Sequence, residues 1–306
     1  MSEAKTTVGG QAVIEGVMMR GKKCVATSIR KSNGEIITDR KNIVSLTKKN
    51  KILALPLIRG FIVLIESLII GIKTLNYSAS FFEDEDEKDE PSKIDKLFEK
   101  IFKDKTNDVM LGISLIISIL LATALFFVLP TIIASFFRKS ISDKSIVLNI
   151  LEGIVRIVIF ILYVYFIGKM EDISKVYEYH GAEHKSIFCY ESGEELTPEN
   201  AQKFTRFHPR CGTNFLFLVM IVSILIFSLT GWNSIIQRII YRIVLLPLIS
   251  GITYEIIRWL GKSQNVATRI LAYPGLQLQR LTTREPDLKQ LEVAIKALKA
   301  AEGIEE

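Results

Sequence analysis

Residues 109–137 carry no charged side chain over 29 consecutive positions. At 1.5 Å per residue, a helix of that length is longer than the hydrocarbon layer of a bilayer is thick, so the run reads as membrane-spanning. Further apolar stretches occur at 52–72, 145–168, 211–237 and 239–259. The fold expected is a mainly α membrane protein. It has about four transmembrane helices, one re-entrant or interfacial apolar segment at 52–72, and a small β-rich N-terminal cytosolic unit at 1–51. Hydrophobic residues are 49% of the chain and charged ones 24%. That mixture fits spans alternating with charged segments better than one soluble core.

Basic residues set the expected orientation. Lys and Arg number eleven in 1–51, seven in 73–108, six in 169–210 and eight in 258–306, against three in 138–144 and two in 231–242. The positive-inside tendency therefore puts both termini, the 73–108 segment and the 169–210 segment in the cytosol. Helix pairs at 109–168 and 211–260 then cross, and 52–72 does not cross fully. Pro56, Arg59, Gly60 and Glu66 suit a half-inserted segment covered by protein.

Local signals fill in the rest. Residues 11–20, 24–30 and 36–38 are β-prone, and Asn33-Gly34 between two of them signals a hairpin. The acidic run at 83–87 reads as a solvated linker, and 93–105 as a basic amphipathic helix at the interface. Glu152 and Arg156, four apart, neutralise each other within a helix. Thr197 and Pro198 mark a helix start. The 261–306 tail closes with an amphipathic helix bearing Leu288, Leu291, Ile295 and Leu298 on one face.

All three histidines of the chain fall within 180–208. His180 and His184 project from one helical face, with Glu183 between them, the H-x-x-E-H ligand pattern of the inverted zinc peptidases. His208 and Cys211 follow in His208-Pro209-Arg210-Cys211. The candidate site is thus His180, His184 and His208 as ligands of a divalent metal, with Cys211 as a fourth or alternative ligand. Glu183 is the candidate general base, and Arg206 or Arg210 an oxyanion stabiliser or a snorkelling anchor. Glu255, inside an apolar segment, is a further candidate ligand or a partner behind one. His with Cys favours zinc, though iron and cobalt take similar donors. Three cysteines, an odd number, make no disulfide framework and fit a reducing compartment.

Two function classes follow. One is a membrane-embedded metal-dependent hydrolase acting on a lipid-linked or membrane-proximal peptide substrate. The other is a non-enzymatic scaffold or small-solute carrier whose metal is structural, and the charge-free spans at 109–137 and 211–237 offer a carrier no polar path. Despite a net charge of +6, the basic residues are spread over juxtamembrane stretches without interleaved aromatics, which points to lipid rather than nucleic acid.

Four stretches carry a resemblance: Gly9-Gly10-Gln11-Ala12-Val13-Ile14-Glu15-Gly16-Val17-Met18-Met19-Arg20, the His180-Gly181-Ala182-Glu183-His184 motif, His208-Pro209-Arg210-Cys211-Gly212-Thr213, and Leu281-Thr282-Thr283-Arg284-Glu285-Pro286. In this order they closely resemble the YqhQ-like family of bacterial membrane proteins, a family of unknown function described as predicted metal-dependent enzymes. The resemblance covers essentially the whole chain. It implies a multi-pass protein of the bacterial inner membrane with a metal, and it implies no substrate.

Overall fold

A computed structural model describes residues 8–82, 106–138, 144–231, 234–260 and 265–304. The acidic run at 83–87 and the interfacial helix expected at 93–105 lie outside these residues. So does most of the 138–144 turn.

The N-terminal unit is a four-stranded antiparallel meander, β1 Gly9–Val13, β2 Gly16–Arg20, β3 Cys24–Arg30 and β4 Ile36–Asn42, paired in chain order. Asn33-Gly34 turns β3 into β4 as expected, with Gly34 at φ 87° and Asn33 Oδ1 accepting the Glu35 N–H. The single β-prone run read at 11–20 is in fact two strands. Ile14 and Glu15 form a tight turn between them, with Glu15 at φ 49°, in the left-handed region.

A short helix α1 (Leu46–Lys49) and a series of turns lead to α2 (Ile58–Ala79). The segment at 52–72, expected to be re-entrant or interfacial, is therefore turns followed by one continuous helix of 22 residues reaching beyond it. Two glycines let α2 approach its neighbours closely. A Cβ on Gly60 would lie 2.8 Å from Gly251 Cα, and one on Gly71 would meet the Gln11 side chain.

Next come α3 (Thr106–Thr123), a π-helical turn at Ala124–Val128, and α4 (Leu129–Phe136), which together make one rod. Then follow α5 (Ser145–Ile167), α6 (Glu171–Ser192), α7 (Pro198–Gln202), α8 (Gly212–Ser228), α9 (Ile235–Leu260), α10 (Val266–Thr282) and α11 (Leu288–Glu302). Thr197 does cap α7, its hydroxyl accepting from Asn200 N. Among the described residues three stretches are long and apolar enough to cross a membrane: Gly112–Phe136, Ser145–Ile167 and Ile236–Leu260. They carry exposed leucines and isoleucines such as Leu120, Ile132, Ile154 and Ile243, which suggests a membrane protein.

Two boundaries differ from the sequence reading. The span expected at 211–237 ends at Ser228, making α8 a 17-residue apolar helix, and the next helix begins at Ile235 rather than 239. The run is charge-free there, and only the short polar stretch around Thr230-Gly231 and Asn233-Ser234 marks the break. The tail also holds a second helix, α10, which continues through Pro274.

The two chain ends meet. Val17, Met19 and Ala26 of the sheet share one core with Tyr179, Ala182 and Ile187 of α6 and Leu291, Ala294, Ile295 and Leu298 of α11. The expected apolar face of α11 is the buried one, except that Leu288 at its start is exposed. Asp287 and Gln290 close a reciprocal capping box at the N-terminus of α11. Leu298→Ala is expected to cost about 2–5 kcal/mol through the cavity it leaves. A thermal melt of the detergent-solubilised protein checks this, and an unchanged midpoint would contradict a shared core.

Candidate metal centre

Helix α6 supplies the first two donors. His180 and His184 lie one turn apart with ring centroids 4.5 Å apart. Each imidazole is oriented by a backbone carbonyl. His180 Nδ1 lies 2.8 Å from Thr282 O, and His184 Nδ1 lies 2.5 Å from Arg206 O. A carbonyl only accepts, so both Nδ1 atoms carry the proton and both Nε2 atoms present a lone pair.

The third donor comes from the start of α8. Cys211 is its N-cap, and its Sγ accepts from the Thr213 N–H and hydroxyl at 3.5 and 3.3 Å. That sulfur lies 3.1 Å from His180 Nε2. Ligand atoms of His180, His184 and Cys211 all fall within 4.8 Å of one another, a cluster able to hold a metal ion. The fit has independent support: His184 Nε2 is buried with no hydrogen-bond partner. A buried imidazole nitrogen left bare is costly, and a cation would satisfy it.

The remaining expected residues are placed as follows. The His208 ring stands 5.5 Å from that of His184, outside the three-donor group. Its Nδ1 accepts the Arg210 N–H at 3.3 Å, and its Nε2 faces Glu191 at 3.9 Å. Burial pushes His208 below the ordinary imidazole range, against the opposing pull of Glu191. Arg210 is ion-paired to the same Glu191. Arg206 stacks on Phe207 at 5.0 Å, with Nη1 3.6 Å from Glu285 and a buried Nε lacking a partner. Glu255 is not brought to the cluster. It pairs with Arg59 through both carboxylate oxygens and fastens α9 to α2.

Glu183 lies on the neighbouring face of α6 and meets strand β1. A Cβ on Gly10 would sit 2.9 Å from Glu183 Cδ and 2.6 Å from Met18 O, so only glycine leaves room for the carboxyl there. Burial pushes Glu183 up to about 7, opposed by the neighbouring His180 and a hydrogen bond from the Gly10 backbone.

Sequence reasoning missed the residue that holds the His208 loop. Gln279 of α10 is fully buried; its Oε1 accepts from His208 N and its Nε2 donates to His208 O, both at 2.8 Å. Its spacing from Gly275 and Thr282 marks a buried helical stripe, the one sequence signal for it. The LTTREP stretch wraps α6 as well. Thr282 O orients His180, and Arg284 N donates to Tyr177 O at 2.8 Å. Pro286 Cδ lies 3.3 Å from where a Cβ on Gly181 would be. The GGQAVIEG turn closes the other side, where Glu15 accepts from Tyr179 Oη at 3.1 Å. Three stretches distant in sequence thus surround one turn of α6.

This arrangement, helices of membrane character around a His/His/Cys cluster, belongs to a family without an assigned activity. Residues 55–303 match the family described as "Protein of unknown function (DUF1385)", and the chain belongs to it. The protein described as "Uncharacterized protein YqhQ" from Bacillus subtilis (strain 168) is 34% identical over 292 residues, covering 94% of this chain and 90% of that protein. No solved structure matches the chain.

The elevated Glu183 makes a signed prediction for the metal-stripped protein. The folded state holds this proton more tightly than the unfolded one, whose value is near the ordinary 4.5. Its contribution is therefore most favourable below pH 4.5 and declines as pH rises to about 7, by about 3 kcal/mol in all. Glu183→Gln removes that slope, so the variant is expected to gain on wild type across the interval. Denaturation curves at several pH values check it, and parallel pH profiles would contradict it.

Proposed function

We propose that the chain is an inner-membrane protein with a metal-dependent hydrolytic centre at the cytosolic face. The observation that carries this reading is the pair of imidazoles with both Nδ1 protons committed to carbonyls, His180 Nε2 3.1 Å from Cys211 Sγ, and His184 Nε2 buried without a partner beside them. A divalent ion, zinc by the softness of the donor set, would supply Lewis acidity for hydrolysis there. Three protein donors leave a position open, the pattern of catalytic rather than closed structural sites. His208 serves instead to hold Glu191 and the loop that presents Arg206 O.

Glu183 is the proton acceptor of this proposal. Its burial brings it close to neutral, where a carboxylate both accepts and returns a proton readily. Arg206, with one nitrogen uncommitted, is the donor placed to stabilise a developing oxyanion. A site at the membrane face suits a lipid-linked or membrane-proximal peptide substrate.

The shared core supports the topology. Elements packed on one another lie on one side of a bilayer, so an even number of crossings separates the sheet from α6. The α3–α4 rod and α5 supply two, which leaves α2 lying against the membrane rather than through it. Between α6 and α11, α9 crosses, so α8 crosses too; its 17 residues span about 26 Å. The basic residues then put both termini, the sheet and the metal centre in the cytosol.

Elemental mass spectrometry of protein purified without chelators tests the reading. About one divalent ion per chain is expected in wild type, lost in His184→Ala and kept in Glu183→Gln. A metal-free wild type would sink it. Metal retained in Glu183→Gln together with intact cellular function would leave the ion structural.

A further inference from the structure

The two faces of the sheet meet different neighbours. Cys24 and Ala26 of β3 point to the shared core, where Cys24 Sγ lies 3.0 Å from Ala301 O of α11. Val25 and Thr27, the alternate positions, point the other way, towards α2. Along β1 and β2 that second face holds α2 closely. A Cβ on Gly71 would lie 2.5 Å from Gln11 Oε1, Ile14 N donates to Ser78 Oγ at 3.3 Å, and Arg20 stands 3.4 Å from Glu66. Beside β3 and β4 the helix stands off, and a cleft of about 610 Å³ lies between them. That volume is within the range of small-molecule sites.

The lining combines apolar walls with a basic, aromatic end. Helix α2 contributes a stripe at helical spacing, Glu66, Ile69, Ile70, Lys73, Thr74 and Tyr77, about 16 Å long. The segment after β4 adds Val44 and Leu46. Val44, Leu46 and Ile69 are 60%, 47% and 49% exposed, large apolar side chains lining one cavity. Surface of that kind fits an apolar occupant. Both carboxylates of the lining are engaged: Glu66 accepts from Ser45 Oγ and Leu46 N, and Asp39 pairs with Lys41 at 2.6 Å. Lys73, one turn beyond Ile69, is exposed. Tyr77 follows a turn later, its ring 5.1 Å from Lys41 Nζ. Ile69 also belongs to an exposed ridge of α2 with Ile65, Leu68, Ile72 and Leu75. The cleft therefore opens beside the apolar surface that α2 turns to the membrane.

We propose that this cleft binds one anionic phospholipid of the cytosolic leaflet. The headgroup meets Lys73 beside Tyr77, and an acyl chain lies against Ile69, Val44 and Leu46 before following the ridge into the bilayer. A lysine at that end favours a headgroup of net negative charge over a zwitterionic one. The cleft is on the face of the sheet away from α6, so it is separate from the His/His/Cys cluster. The inference rests on the reading that α2 lies against the membrane at the cytosolic face, and it does not depend on a metal.

Native mass spectrometry of the detergent-solubilised full-length protein, titrated with phosphatidylglycerol and separately with phosphatidylethanolamine, decides. Wild type is expected to retain one phosphatidylglycerol in preference to phosphatidylethanolamine. Lys73→Gln is expected to weaken that adduct about fivefold, the worth of one lysine at an anionic surface. Lys51→Gln, at an exposed position outside the cleft, is expected to leave it unchanged. Ile70→Trp, which fills the cleft without altering charge, is expected to remove it. Equal losses in the two lysine variants would mean diffuse attraction to a basic surface and overturn the site. An adduct that survives in folded Ile70→Trp, or wild type that holds no lipid, overturns it as well. Equal retention of the two lipids overturns the anionic assignment. The lysine pair decides even if the tryptophan variant fails to fold, because both lysines are exposed. Protein recovered in the soluble fraction without detergent would overturn the membrane reading itself, a result distinct from a membrane protein that holds no lipid.

Discussion

The packing of α11 onto the N-terminal sheet is the contact on which the rest of the molecule depends. It joins residues 17–26 to residues 291–298 through a core that also takes one face of α6. Everything between those ends must leave this core and return to it. The helices of membrane character are therefore excursions from a fixed base, and the His-bearing helix is built into that base. This is also why a weakly basic tail carries some of the most completely buried side chains in the protein, Leu291 and Leu298 among them.

The same base determines the chemistry of the cluster. Neither imidazole is oriented by a carboxylate; both are oriented by backbone carbonyls that other elements bring in, Thr282 from the end of α10 and Arg206 from the loop before α8. A carbonyl can only accept, so in the neutral ring each proton sits on Nδ1. Gln279 clamps the loop by both its amide atoms. The geometry of the His/His/Cys cluster is thus a consequence of how α6, α8 and α10 pack, rather than of the two-histidine motif alone.

That division explains what the sequence disclosed. His180 and His184 share a face because of helical period, Asn33-Gly34 turns because Gly34 takes a left-handed φ, and Thr197 caps because its hydroxyl reaches Asn200 N. All three are local, and local rules find them. Glu255 looked like a candidate for the site and pairs with Arg59, and Arg238 and Arg242 looked like a flank and converge on Glu152. These partners lie 86 to 196 residues apart in sequence, where periodicity says nothing. The direction of Glu183 was equally hidden. It depends on Gly10 lacking a side chain in a strand more than 170 positions earlier, a close approach visible only once β1 is laid against α6.

Two buried glutamates show the protein solving one problem in opposite ways. A carboxylate out of water must either lose its charge or acquire partners. Glu183 has one backbone N–H and the neighbouring His180 to favour its charged form, too little to offset burial, and it rises to about 7. Glu152 has three arginines against it. The first arrangement suits a group that must exchange a proton, because neither state is strongly preferred near neutral pH. The second suits a group whose role is to hold α5 against α9 through its arginine partners. A protein selected only for stability would have little reason to keep either, since apolar replacements of buried charges are often neutral or stabilising. Their positions differ accordingly, one on the helix that carries the His/His/Cys cluster and the other between two of the long apolar helices.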